Sequence, residues 1–154
     1  MARIFFRIAG FGIVAYFVAV AFAGENATEA EVKKLQGTWH LHRVWTAGGG
    51  DLTYGEPRGK LVLTQDKFEI WTGTLGKFKK SSEGKYRINP KADPKELDLE
   101  DMQNDKKRVR IFSYKLDGDK LTLGQNPASG RLKTWKLSEL EEGSQGLEYE
   151  RAKN

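Results

Sequence analysis

RVRIFSYKLDGDKLTL, residues 108–123, is the stretch whose reading decides the fold. Two strand-like runs, Arg108 to Leu116 and Lys120 to Leu123, flank Asp117-Gly118-Asp119. Glycine tolerates positive φ, so this spacing predicts a tight antiparallel hairpin. Similar runs lie on both sides of it. Lys60 to Thr64 and Phe68 to Thr72 flank Gln65-Asp66-Lys67 as a second hairpin. Phe78 to Lys80 and Lys85 to Ile88 follow as two runs broken by Ser81 to Gly84. Glu96 to Leu99 comes after Asn89-Pro90 and Asp93-Pro94, and Arg131 to Leu137 and Leu147 to Arg151 complete the chain. The first strand spans about Thr38 to Thr46, before a Gly-rich loop at Ala47 to Asp51.

Short strands at this spacing predict an all-β antiparallel fold, a sandwich or a barrel. The side-chain pattern gives each strand one apolar face. Phe68 and Ile70 alternate with Lys67 and Glu69, Tyr86 and Ile88 with Lys85 and Arg87, and Leu147 and Tyr149 with Glu148 and Glu150. One buried face per strand is what a small barrel requires. A single short helix is expected before the first strand. Asn26-Ala27-Thr28 supplies a cap, Val32 and Leu35 share a side, and Gly37 ends it.

The N-terminus reads as a targeting leader. Arg3 and Arg7 precede the uncharged run Ile8 to Ala23, which is 16 residues long. That is short of the ~20 a membrane-spanning helix needs. The run ends on Ala21-Phe22-Ala23, a small-x-small signal for cleavage. Residues 1–23 are therefore expected to be a signal peptide and 24–154 the folded domain, with a retained anchor as the alternative. Export to the periplasm, cell envelope or medium follows as an expectation. With no cysteine, disulfides, lipid attachment at a cleavage-point cysteine and thiolate-held metals are all closed. The formal charge of +5 falls to +3 without Arg3 and Arg7, too small an excess to argue for nucleic acid. The basic segment Lys77-Phe78-Lys79-Lys80 reads as a solvated hairpin, with an anion-binding patch as the alternative.

Leu35-Gln36-Gly37-Thr38-Trp39 has the Gly-x-Trp pattern that opens lipocalin-like barrels. Further along come Gly84-x-Tyr86 with Pro90, Pro94-Lys95-Glu96-Leu97-Asp98-Leu99, and Tyr114-x-Leu116-Asp117-Gly118-Asp119-x-Leu121. With Arg131 and Glu150-Arg151, this order resembles an uncharacterised family of lipocalin-like, calycin-type exported domains abundant in planctomycete bacteria. The likeness runs from about Val32 to Arg151. It implies an up-and-down β-barrel of about eight strands with a short N-terminal helix. It also implies that Arg151 stacks on Trp39 behind Gly37 to close one end, a structural role. Two positions depart from the family pattern: Arg131-Leu132-Lys133 replaces an Arg-Pro-Thr-like segment, and Ser113 stands where a hydrophobic residue is usual.

The search for chemistry comes up thin. Gly73 to Lys77 lacks both the spacing and the hydroxyl residue of a phosphate-binding loop. His40 and His42 share a strand face and no third ligand is indicated, so no metal and no cofactor is expected. If Trp39 points inward, both histidines point outward. Glu100-Asp101 and Glu141-Glu142 read as solvated loop charges. No catalytic residue is assigned, and the chain is read as a non-enzyme. Phe68, Tyr86, Phe112, Tyr114 and Trp135, with Tyr54 on the Ala47 to Pro57 loop, are candidates either to line a pocket or to fill a core. The loop, with Leu52, is a candidate lid over the end opposite Trp39. The expected partner is a small apolar ligand; the alternative is a cell-envelope interaction module with a filled barrel. Protein purified from its native cell and sequenced from its N-terminus should begin near Gly24; an intact Met1 overturns the cleaved leader.

Overall fold

The computed structural model describes residues 28–74 and 76–153; the leader read over residues 1–23 lies outside them. A short helix, α1 (residues 28–35), leads into ten strands. These are β1 (Gly37–Thr46), β2 (Gly50–Thr53), β3 (Gly59–Thr64), β4 (Lys67–Thr74), β5 (Lys77–Asn89), β6 (Glu96–Gln103), β7 (Lys106–Asp117), β8 (Lys120–Asn126), β9 (Gly130–Arg131) and β10 (Gln145–Arg151). Eight of them pair antiparallel in the circuit β1-β3-β4-β5-β6-β7-β8-β10. The pairings of β10 with both β8 and β1 close it into a barrel. The two short strands are additions: β2 folds back on the far half of β1, and β9 pairs with the end of β8. Closure gives most strand backbone groups a ladder partner on both sides.

The alternation in the sequence becomes an inner and an outer face. Leu61, Leu63, Phe68, Tyr86, Leu97, Leu99, Phe112, Tyr114, Leu121, Leu123 and Tyr149 form one buried cluster with Trp39 and Leu35. Outside, His40 sits opposite Lys60, half-buried and stacked on Phe78 at 6.2 Å between centroids. A bulge in β1 between Leu41 and Arg43 shifts its register against β10. Beyond the bulge Arg43 lies opposite Glu148, and Trp45 opposite Gly146 on the outer wall.

Three segments differ from their sequence reading. Ser81 to Gly84 does not interrupt a strand: β5 runs unbroken, because main-chain pairing with β4 continues through these polar residues. The Gly-rich loop contains β2, and Tyr54 and Arg58 donate backbone N–H groups to His42 and Leu41. It lies along β1 as a hairpin. The strand expected over Arg131 to Leu137 is limited to Gly130–Arg131, and a single 3₁₀ turn, Leu137–Glu139, follows an extended stretch. Leu132 and Trp135 instead lie over Gly124 of β8, where any Cβ would meet their side chains within 3 Å. Ser113 is fully buried beneath this segment and donates its hydroxyl to the Leu132 carbonyl at 2.9 Å. A hydrophobic residue there would leave that carbonyl unpaired.

One end is closed by α1 and the end of β10. The Trp39 indole is completely buried and its Nε1 donates to the Leu35 carbonyl at 2.8 Å. The Arg151 guanidinium stacks over that indole at 4.0 Å from the centroid. It also donates to the Gln36 and Lys34 carbonyls, both at 2.7 Å, and to Asp119 at 3.0 Å. Gly37 is required between them. Its φ is +128°, and an added Cβ would stand 2.9 Å from the guanidinium. Glu31 of α1 is buried too, accepting from Lys95 at 2.5 Å and from the Tyr114 hydroxyl at 3.2 Å. Trp39→Ala should cost about 3–5 kcal/mol in a chemical melt, the range for large core aromatics. A loss under about 1 kcal/mol would show that the indole does not organise this end.

Candidate functional site

The other end of the barrel is built differently. Pairing of β5 with β6 stops at Gly84↔Asp101. Above this point β5 continues only alongside β4, back to Lys77, and β6 continues only alongside β7, out to Gln103. The wall is therefore notched. Gly84 marks the base of the notch, where its position against β6 is so close that a Cβ would lie 2.0 Å from the Glu100 carbonyl oxygen. A cleft of about 660 Å³ occupies the notch, lined by Ser81 to Lys85, Glu100 to Gln103 and Arg108.

Strand parity carries charge to the inner side of this cleft. In β6 the buried positions are Leu97, Leu99 and Asp101. Asp101 thus continues the apolar row and is only 5% exposed. Directly across β7 stands Arg108, which grips it with two bonds, Nε to Oδ1 at 2.9 Å and Nη2 to Oδ2 at 2.5 Å. Arg110, opposite Leu99, adds a bond from Nη2 to Oδ2 at 3.0 Å. Ser82 of β5 donates its hydroxyl to Asp101 and accepts from Arg110 Nη2 at 2.9 Å. The Arg108 hydrogen bond is the main reason that the Asp101 carboxyl is held down at about 2; Ser82 and the Arg110 charge act with it, against burial.

Below the cluster the site turns apolar. The Arg110 guanidinium lies 5.6 Å from the centroid of Phe68. Its Nε is buried with no hydrogen-bond partner in the protein, and so is the hydroxyl of Tyr86. Tyr86, Leu99 and Arg110 are register partners across β5, β6 and β7. Burial raises the Tyr86 hydroxyl to about 12, so it is a donor at any physiological pH. Unpaired buried donors are uncommon in folded proteins and ask for an acceptor.

The residues singled out in the sequence fall into three places. Phe68, Tyr86, Phe112 and Tyr114 come together in the buried cluster inside the barrel. Tyr54 lies on the hairpin along β1, with Arg58 at 5.7 Å over its ring. Trp135 lies outside, where it shares a cleft of about 380 Å³ with Trp45, Arg43, Asp51, Glu148 and Leu137. Sequence reasoning missed Asp101, Arg108, Arg110 and Ser82. Asp101, expected as a solvated loop charge, is instead a buried strand residue. Among the described residues no group of three metal-ligating His, Cys, Asp or Glu side chains is assembled. No described helix is long and apolar enough to cross a membrane. Comparison with protein-family models, with curated proteins and with solved structures finds no match.

The depressed Asp101 pKa sets the sign of a pH effect. A carboxylate whose folded pKa lies below its unfolded value of 3.8 adds stability above that value. The contribution is lost as pH falls from about 4 through about 2. Asp101→Asn should flatten part of the acid-side loss of stability over this window. At neutral pH it should cost about 2–3 kcal/mol, below the figure for a fully buried pair because Arg108 is partly exposed. Equal acid slopes in the two proteins would show that the carboxylate is not ionised by this cluster.

Proposed function

We propose that this barrel is an exported, non-catalytic module that binds a small ligand at the notch between β5 and β6. The observation that carries the reading is an open cleft lined by Ser82, Asp101 and Arg108, with Arg110 bonded to the first two from the inner face. Polar groups fixed by their own hydrogen bonds in a concave site are what orients a small molecule. The packed cluster of Phe68, Tyr86, Phe112 and Tyr114 supports a ligand that rests on the core rather than one threaded deep through the barrel. Export is supported by the leader read over residues 1–23, and membership of the lipocalin-like exported family by the motifs from Gly37-x-Trp39 to Arg151. The non-catalytic reading rests on the chemistry of the cluster, whose carboxylate is saturated with donors and too acidic to act as a base near neutral pH.

A second reading has its own observation. Leu137 is 75% exposed at the rim of the outer cleft that holds Trp45 and Trp135, which suits a protein-interaction face on the barrel wall. The two readings separate in one titration. The neutral fluorescent probe N-phenyl-1-naphthylamine should bind at about one molecule per chain. Gln103→Trp, which fills the notch from its exposed rim, should weaken it about tenfold, while Lys79→Ala leaves it unchanged. Absence of saturable binding, or binding indifferent to Gln103→Trp but lost on Trp135→Ala, would replace the notch with the outer cleft.

A further inference from the structure

Within the reading of the notch as a ligand site, we infer that its ligand is a small organic monoanion, held by its charged head on Arg110 and Arg108. The charge balance of the cluster points there. Two guanidinium groups face one carboxylate, which leaves one positive charge uncompensated on the inner side of the wall. The other charges around the cleft are engaged on the outer side: Glu83 with Lys80 at 2.6 Å, which Glu69 shares at 3.4 Å, Glu100 with Lys107 at 2.9 Å, and Lys85 with Asp66 at 3.9 Å. A partly buried unpaired charge is costly, and an anion entering the notch removes that cost.

Hydrogen-bond geometry points the same way. Asp101 accepts from Arg108, from Arg110 Nη2 and from Ser82, and none of its bonds goes to the Arg110 Nε–H. That N–H is buried and has no partner in the protein. A guanidinium presents its donors as a planar fork that suits a carboxylate or a phosphate-type oxygen pair. With Nη2 fixed on Asp101 and Ser82, the Nη1 hydrogens and the Nε–H are the donors left to an incoming oxygen. The rest of the molecule would meet Met102, which is largely exposed on the rim. The cleft volume and this mixed lining fit a body of aryl or short-alkyl size.

Benzoate and its neutral isostere benzamide test this directly. In a ¹H–¹⁵N titration of the folded barrel, benzoate should saturably shift the Arg110 Nε–H resonance and bind at least about tenfold tighter than benzamide. Arg110→Met should abolish the preference while the backbone spectrum persists. Asp101→Asn frees the arginine fork and should raise benzoate affinity severalfold, a gain that a purely structural ion cluster would not produce. Arg110→Lys keeps the charge without the fork and should retain only part of the preference, which serves if the other variants fold poorly. Equal affinity for benzoate and benzamide in the wild-type protein, with the naphthylamine still bound, overturns the anion assignment and leaves the notch a binding site. Failure of all three compounds to bind overturns the binding site itself.

Discussion

The Arg151 guanidinium rests on the Trp39 indole and holds the backbone between Lys34 and Gln36 with its own donors. One side chain from the last strand thereby fixes the helix, the first turn of β1 and the seam where β10 meets β1. A barrel closes only if its first and last strands find the right register, and that pair has the longest sequence separation in the molecule. The contact is worth about 0.5–2 kcal/mol as a cation–π pair, more when desolvated. Its larger effect is on geometry. Trp39 opposes Arg151 in the ladder, and all six further β1–β10 pairings follow from that start, apart from one bulge. Gly37 is part of the same constraint, since a side chain there would push the guanidinium off the carbonyls it caps.

With the seam fixed, parity determines what enters the barrel. At the closed end the inward positions carry Leu, Phe, Tyr and Trp, and the one carboxylate that penetrates, Glu31, comes from the helix. Burial acts to raise its pKa, but the hydrogen bond and charge of Lys95, with the Tyr114 hydroxyl, hold it below its ordinary value. At the notched end the same parity places Asp101, Arg108 and Arg110 on the inner face in line with Leu99 and Phe112. The barrel interior is thus polarised along its axis, apolar at the base and ionic near the break in the wall.

Much of this was legible in the sequence, and the failures have physical causes. The hairpin around Gly118, the alternation in β4, β5 and β10, and the Gly37-x-Trp39 opening all lead to the closed eight-stranded barrel. Ser81 to Gly84 looked like a break because its side chains are polar and small, yet strand continuity depends on backbone pairing with β4, which composition does not report. Leu132 and Trp135 looked like strand residues because they are large and apolar. Their burial comes from covering Gly124, a tertiary contact across the outer wall. Asp101 looked solvated because Glu100, Gln103, Asn104 and Asp105 surround it. Extending the alternation Leu97, Leu99 by one more step would have placed it inside, and the matching steps Phe112, Arg110, Arg108 would have supplied its partners.

That last signal explains why ionic residues survive at inward positions. A buried ion pair is a poor way to gain stability, because desolvation offsets most of the attraction, and an apolar pair of similar volume often serves better. Three charged residues and a serine at consecutive inward positions of adjacent strands are therefore not accounted for by stability alone. The notch changes the balance. Where β5 and β6 part, the inner face meets solvent, so hydrocarbon side chains would be exposed and the cost of burying charge is lower. An ionic rim seals the apolar base from water. The same residues that terminate the core are then the ones a polar ligand meets first, and closure of the barrel at Trp39 leaves this break as its opposite pole.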